Sequence, residues 1–481
     1  MTDLGFFLPE NDLEGIHQAA LRILAELGIL MEHPEMRDRL AGMGCRIAGS
    51  RAYISQEIAA RVISQVPSSF HLYGRDGNSS VCVDARGATL FTNSGIVPNI
   101  CDLESGVIRR STNEDVARTT RILNALSNVD LVYVSLVDAT EAAPHLVTLV
   151  DMATTLQNTT KPLAGPGVTN RREAEAIAAM ALAMRGNDPL ALAERPICAP
   201  FIAPITPLTF PVDLVDALFV ICKAGLPLTV VTNPVMGVTA PYALAGTAAL
   251  GHAEVIASAV MAHAVRSGLP ILSHNVPSIA DMRTLTNTTG GPEVGLLRRT
   301  TNQLARYIGI PAWSPAHTSS PALDIQAGDE KSTNSLLSAS AQPAIQGGLG
   351  GLANITLTSY ESLVLDNERF GALKRILRGV TVDEDHLAFE VIADQVAGTE
   401  FVTHPHTQRN LRSGEVWMPR LADRRGIVGD CPDPVQVLKR ARAEVFRILN
   451  SHEVAPLADS TQEQINGILA AYDLRCRAEN H

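Results

Sequence analysis

From about Asn128 onward, short apolar runs alternate with longer stretches whose apolar residues fall at helical spacing. Eight runs predict strands, over residues 131–137, 162–168, 196–202, 228–232, 271–274, 311–314, 351–357 and 401–404. The stretches between them predict helices over 145–156, 172–184, 211–224, 247–267, 294–308, 334–347 and 383–396. Strands alternating with helices form βαβ units, and their strands run parallel because each helix carries the chain back to the same end of the sheet. Eight repeats favour closure, so an α/β fold of the (β/α)8 (TIM) barrel type is expected. No GxGxxG follows the first strand, which weighs against an open dinucleotide-binding sheet.

The first part of the chain has a different rhythm. Helices are expected over 13–27, with Ile16, Ala20, Ile23 and Leu24 on one side and Gly28 as the stop, and over 34–43 and 55–65. Short strands follow over 69–73, 80–83 and 89–92. Residues 1–125 therefore read as an N-terminal α+β extension, 126–430 as the barrel, and 431–481 as a region of C-terminal helices over 434–450 and 461–479. Those last helices have a face to pack on the barrel or on a second copy, and a homo-oligomer is expected.

Composition narrows the function classes. The 481 residues carry 39 basic and 50 acidic side chains, a net charge of −11, and no basic run, which excludes nucleic acid and anionic membrane surfaces as natural partners. Residues 1–13 hold Asp3, Glu10 and Asp12 and no basic side chain, so no secretory n-region is read there. No run of 18 apolar residues escapes charges or Gly/Pro breaks, and no membrane span is expected. Seven cysteines, widely spaced and without CxxC, read as free thiols of a cytoplasmic protein.

In a barrel, chemistry gathers where the strands end at the C-terminal face. The expected strands end at Asp138, Pro166, Pro204, Asn233, His274 with Asn275, His317, Asn354 with Thr356, and His404 with His406. Any one of these is more often a cap or a turn residue than a ligand, but together they put polar groups around one mouth. Asn233, His274, Asn275, His404 and His406 are the substrate-binding candidates. His404-Pro405-His406 has two imidazoles without a third ligand at short fixed spacing, so no metal is assigned. Asp324, Gln326 and Glu330 fall in a long polar loop after the sixth strand, a place where loops carry function. Aromatics are only 4% of the chain, yet Trp313, Tyr360 and Phe401 lie in or near expected strands, and aromatic faces attract quaternary ammonium ions.

Several segments together resemble the trimethylamine methyltransferase family. They are Ile16 through Leu24 to Gly28 with His33-Pro34-Glu35, and Pro67 to Phe70 with Tyr73 to Asp76. Asp102 to Gly106 with Ser111-Thr112, Ala249 to Glu254, Gly291-Pro292-Glu293 and Gln303 to Tyr307 follow. Asp324 to Glu330, Glu361 with Asp366 and Glu368, and His404 to Thr407 through Glu415-Val416-Trp417 complete the series. The resemblance covers nearly the whole chain. It implies a barrel that moves a methyl group from a methylated amine to cob(I)alamin, the cobalamin (corrinoid) cofactor of a separate corrinoid protein.

Some members of that family carry pyrrolysine. Its place, within Pro311 to Thr318, holds ordinary residues here, so the chain is similar to the branch without pyrrolysine, whose substrates are glycine betaine and related quaternary amines. Asn93-Ser94-Gly95 stands where the family tends to have a Gly pair, and Ala316 to Ser320 is unusual. For such a substrate, Tyr360, Trp313 and Phe401 are the candidates for the ammonium end, and His404 and His406 with Asn233 or Asn275 for a carboxylate. Asp324, Gln326 and Glu330 hold a loop or contact the corrinoid. A quaternary amine leaves as a neutral tertiary amine, so no general acid is required, and the mouth is expected to be a wide cleft. Rival readings are a non-catalytic barrel that binds methylamines or betaines, and a metal-dependent hydrolase or lyase.

Overall fold

In the computed structural model, which describes residues 8–77, 79–398, 400–422, 424, 433 and 435–479, Leu228–Thr232 lies between two parallel neighbours. It pairs with Ile271–Asn275 on one side and with Phe201–Ile202 on the other. Beyond Ile271–Asn275, Ser273 bridges Ala312, and Trp313–Pro315 pairs with Ile345–Leu349. In the other direction Phe201 and Cys198 bridge Gly167 and Leu163, and Leu163 bridges Val132. The two ends of this series meet at Leu90–Asn93, which pairs in parallel with Ile345–Leu349.

On its second side Leu90–Asn93 is stitched largely by side chains. Asp130 N donates to the Phe91 carbonyl at 2.8 Å, and the Asp130 carboxylate accepts from Phe91 N at 2.8 Å. The Asn93 amide oxygen accepts from Tyr133 N at 2.8 Å, and its nitrogen donates to the Ser135 carbonyl at 3.3 Å. Eight parallel segments thus form a ring, the expected α/β barrel.

Two members of the ring differ from the expected strands. The expected eighth strand, 401–404, is the 3-10 turn Phe401–Thr403, outside the ring; its place is taken by Leu90–Asn93, which lies inside the stretch 1–125 read as an extension. The expected seventh strand, 351–357, is a left-handed turn, and the ring uses Ile345–Leu349 instead, a stretch read largely as helix. The glycines that obscured it have a physical reason: a Cβ on Gly348 (φ +106°) would lie 2.0 Å from the Ala316 carbonyl oxygen.

The N-terminal end of the barrel is plugged. The hairpin of Ser69–Tyr73 and Ser80–Asp84 alternates faces, as strands must. Its inward Phe70, Leu72 and Val83 pack with Leu131, Ala199, Leu272 and Ile345 in one buried cluster. Small side chains at the lower layer leave room for that plug, and Tyr133 and Trp313 form the layer above.

The rest of the N-terminal region wraps the helix Leu244–Val265. This helix is long and apolar enough to cross a membrane, but most of it is buried inside the protein. It is apolar all round because helices Glu10–Arg22, Pro34–Gly42 and Gln56–Ile63 cover the face that barrel strands do not. The tail helices Gln436–Ser451 and Asp459–Glu479 pack on this chain's own barrel helices. Pro434, the expected start of the first of them, and Cys431 lie outside the described residues; the six described cysteines are free. Helices Glu384–Leu387, Phe389–Val396 and Pro405–Ser413 form an arm in which no side chain is buried.

Truncating the plug tests this packing. Leu72→Ala is expected to cost about 2–5 kcal/mol, read as a lower midpoint in denaturant unfolding. A loss below about 1 kcal/mol would mean the hairpin does not seat in the barrel.

Candidate active site

Above the Tyr133 and Trp313 layer, at the C-terminal ends of the strands, lies a cavity of about 180 Å3. Its walls include Asn93, Tyr133, His274, Arg298, Trp313 and His317, with Asn233 and Asn287 exposed at its rim. The aromatic wall is built by close approach. Tyr133 and Trp313 rings stand 5.0 Å apart at a tilt, and His274 stacks on Trp313 at 4.0 Å. Tyr133 fits only because residue 95 is Gly: a Cβ there would meet its ring at 2.6 Å. Burial pushes the Tyr133 phenol up, so it stays protonated; it makes no hydrogen bond among the described residues.

The polar wall is short of partners. His274 Nδ1 pairs with the Trp313 carbonyl at 2.8 Å. His317 Nε2 pairs with Ser94 Oγ at 2.9 Å, while its Nδ1 is buried without a partner. Burial lowers the His274 pKa to about 3 and, with the charges of Arg298 and Lys331, holds His317 well below its ordinary range. Both imidazoles are neutral at physiological pH. The Trp313 Nε1 donor is buried and unpaired. Arg298, on the helix Pro292–Tyr307, is 2% exposed and donates through Nη1 to the Pro315 carbonyl at 2.6 Å. Among the described residues no Asp or Glu lines the cavity.

The cover is a strained turn. Ala353, Asn354 and Ile355 take φ of +47°, +53° and +67° in succession, a left-handed stretch that costs roughly 1–2 kcal/mol per residue outside Gly. It is held by the Asn354 amide oxygen, which accepts from Thr289 N, Thr289 Oγ1 and Ser319 Oγ at 2.8–3.1 Å. Ile355 thereby faces the cavity.

The structure brings Asn233, His274 and Trp313 together at this cavity. Asn275 does not line it; its side-chain oxygen accepts from Thr232 Oγ1 and its carbonyl from Thr301 Oγ1. Asp324, Gln326 and Glu330 secure the neighbouring loop. Asp324 caps helix Ile325–Ser340 through Ala327 N at 2.9 Å, Glu330 accepts from Thr318 and Ser319, and Gln326 donates to Glu330.

Tyr360, Phe401, His404 and His406 line no part of the cavity. Tyr360 donates to Asp115 at 2.6 Å and ties two barrel helices together. Phe401 is half exposed on the arm. His404 caps a helix there by accepting from His406 N, and His406 Nε2 pairs with the Asp385 carbonyl. Local capping occupies these histidines. Among the described residues no group of three His, Cys, Asp or Glu is placed to hold a metal ion.

Tyr133 and Arg298 escaped the sequence reading, and Asn93 entered it only within Asn93-Ser94-Gly95. Arg298 did leave a trace: it lies four residues after Val294 and three before Thr301, on the inward face of its helix, where a charge is rare without a purpose.

Neutral buried imidazoles have a stability consequence. A histidine whose folded pKa sits below its unfolded value of about 6.5 costs nothing at pH 7 and destabilises as pH falls, because the unfolded chain takes up the proton first. Thermal stability is therefore expected to drop from about pH 6.5 downward, over the window that ends near 3 for His274. His274→Gln is expected to flatten that limb; a melting temperature indifferent to pH between 7 and 5 would contradict the assignment.

With the geometry in place, relatives can be weighed. The family model for trimethylamine methyltransferase (MTTB) matches residues 6–473. A glycine betaine methyltransferase of Desulfitobacterium hafniense (strain Y51) is 27% identical over 455 residues, covering 94% of each chain. A trimethylamine methyltransferase, MttB, of Desulfitobacterium hafniense (strain DSM 10664 / DCB-2) is 26% identical over 467 residues, 96% of this chain and 92% of that one. In structure, the Methanosarcina barkeri monomethylamine methyltransferase (MtmB) superposes with a TM-score of 0.51 at 12% identity, over 96% of this chain and 93% of that one, a likeness of fold alone. The match spans barrel, plug and tail helices alike, and this chain belongs to the trimethylamine methyltransferase family.

Proposed function

We propose that this chain is a cytoplasmic enzyme that transfers a methyl group from a quaternary methylated amine, glycine betaine or a close analogue, to cob(I)alamin carried by a separate corrinoid protein. One observation carries the reading. The cavity at the strand tips offers the aromatic faces of Tyr133 and Trp313 beside neutral imidazoles, with no carboxylate to move a proton. That set suits a reaction in which the leaving group departs as a neutral amine and needs no acid. It is a poor set for hydrolysis, which needs a base to activate water, because burial holds both imidazoles far below the pKa of an effective base.

The size of the cavity agrees. About 180 Å3 lies below the roughly 300–1,000 Å3 of drug-sized pockets and takes a metabolite of a few heavy atoms. It does not admit a corrinoid macrocycle, so the wide cleft expected from the sequence gives way to a small chamber at whose opening the partner presents its cofactor. The corrinoid supplies a strongly nucleophilic cobalt(I). This chain's share is positioning: the aromatic faces hold the ammonium by cation–π attraction, the Ile355 turn shields it, and the plugged barrel floor keeps water from entering below.

The test is an assay with free cob(I)alamin and glycine betaine, proline betaine, carnitine, choline or trimethylamine, following loss of the reduced corrinoid's absorbance. At least one quaternary amine is expected to react. Trp313→Leu is expected to lower kcat/KM by about 5- to 30-fold, the loss of about 1–2 kcal/mol of cation–π attraction. Thermal stabilisation by an amine without any reaction would instead make this a binding barrel.

A further inference from the structure

The charge balance of the chamber points past a bare methylated amine. Arg298 reaches it from the helix after the sixth ring strand, 2% exposed. One nitrogen, Nη1, is spent on the Pro315 carbonyl, and Nε is buried without a partner. No carboxylate pairs with this guanidinium among the described residues. The groups around it add nothing negative: His274 and His317 are neutral and Lys331, beyond His317, is itself matched by Asp366 at 2.6 Å. Its own pKa is lowered to about 10 by burial alone, with no acid acting against the shift. Buried charges are ordinarily paired, and an arginine fork is shaped to receive a carboxylate through two parallel hydrogen bonds.

We propose that Arg298 is the anchor for a substrate carboxylate, so that the chamber selects zwitterionic betaines over simple cationic amines. The inference rests on the methyl-donor reading above. In this arrangement the carboxylate meets Arg298, with the unpaired Trp313 Nε1 and His317 Nδ1 donors or acceptors nearby, and the trimethylammonium meets the Tyr133 and Trp313 faces. Positive charge at the guanidinium repels a substrate that is only a cation. A betaine cancels that charge as it enters, so the same residue both attracts the right ligand and rejects choline or trimethylammonium.

Binding without any corrinoid separates this claim from the reaction. The probes are glycine betaine, choline, and 3,3-dimethylbutanoate, which keeps the shape and carboxylate of glycine betaine but has carbon in place of nitrogen. Calorimetric titration of the full chain is expected to show glycine betaine binding at least thirtyfold more tightly than choline, with 3,3-dimethylbutanoate also binding. Arg298→Gln is expected to weaken both carboxylates at least thirtyfold and to let choline bind as well as or better than glycine betaine; Arg298→Lys should keep part of the carboxylate preference. The ligand-free Arg298→Gln protein should melt no lower than the parent, since a buried unpaired charge has been removed.

Equal binding of choline and glycine betaine by the parent would overturn the anchor. So would an unchanged order of ligands in a folded Arg298→Gln protein. If glycine betaine binds through Arg298 but consumes no cob(I)alamin, the anchor stands and the methyl-transfer reading falls. If trimethylamine or choline reacts, and does so equally well in Arg298→Gln, the reading stands and the anchor falls.

Discussion

Asn93 is the hinge of the whole architecture in the literal sense of a seam. Its amide closes the ring between the first and second barrel segments by accepting from Tyr133 N and donating to the Ser135 carbonyl, where the backbone ladder itself is thin. Asp130 does the same one step lower, at Phe91 N. These groups are buried or nearly so, and a buried backbone donor left unpaired costs about 1–3 kcal/mol. The seam therefore pins the register of Tyr133, and through it the aromatic wall. Without closure there is no interior for Phe70 and Leu72 to plug, and no chamber above them.

What the barrel encloses is unusual in its charge rather than in its shape. A folded chain has only about 5–15 kcal/mol of stability to draw on, and a buried guanidinium without a carboxylate partner among the described residues counts against it. The chain tolerates this beside two imidazoles that the same environment keeps neutral. Contrast Lys331, which pairs with Asp366 at 2.6 Å; Arg369 pairs with the same carboxylate, and Asp366 also receives Gly350 N at 2.8 Å. One buried cation is neutralised and serves the scaffold. The other is left open toward the chamber, which is the arrangement expected where a ligand completes the pairing.

Strain is placed at the same end of the molecule. Three successive left-handed residues over the cavity persist because Asn354 accepts three hydrogen bonds and Glu330 fixes the facing loop. Strained backbone held by its surroundings is characteristic of functional sites. At the opposite end left-handed residues occur singly, at Asn187 and Gln342, and the plug and the buried apolar helix Leu244–Val265 are ordinary core.

Much of this was legible along the chain. Period and punctuation located most helices and six of the eight ring segments, because local amphipathic pattern reports which face of an element is buried. Strand tips drew attention to Asn233, His274 and Trp313, which the fold brings to one cavity. Local pattern does not report which distant strand completes a ring. Leu90–Asn93 looked like part of an extension, and glycine-rich Ile345–Leu349 lacked the apolar signature because close approach to Ala316 demanded glycine. His404 and His406 looked chemical, but helix capping uses them locally. The order and kind of elements were thus written in the sequence, since each depends on neighbours a few residues away. Ring closure and the meeting of Tyr133 with Arg298 were decided only by the tertiary structure, because they join residues far apart in the chain whose burial and charge have meaning only once the barrel has closed around them.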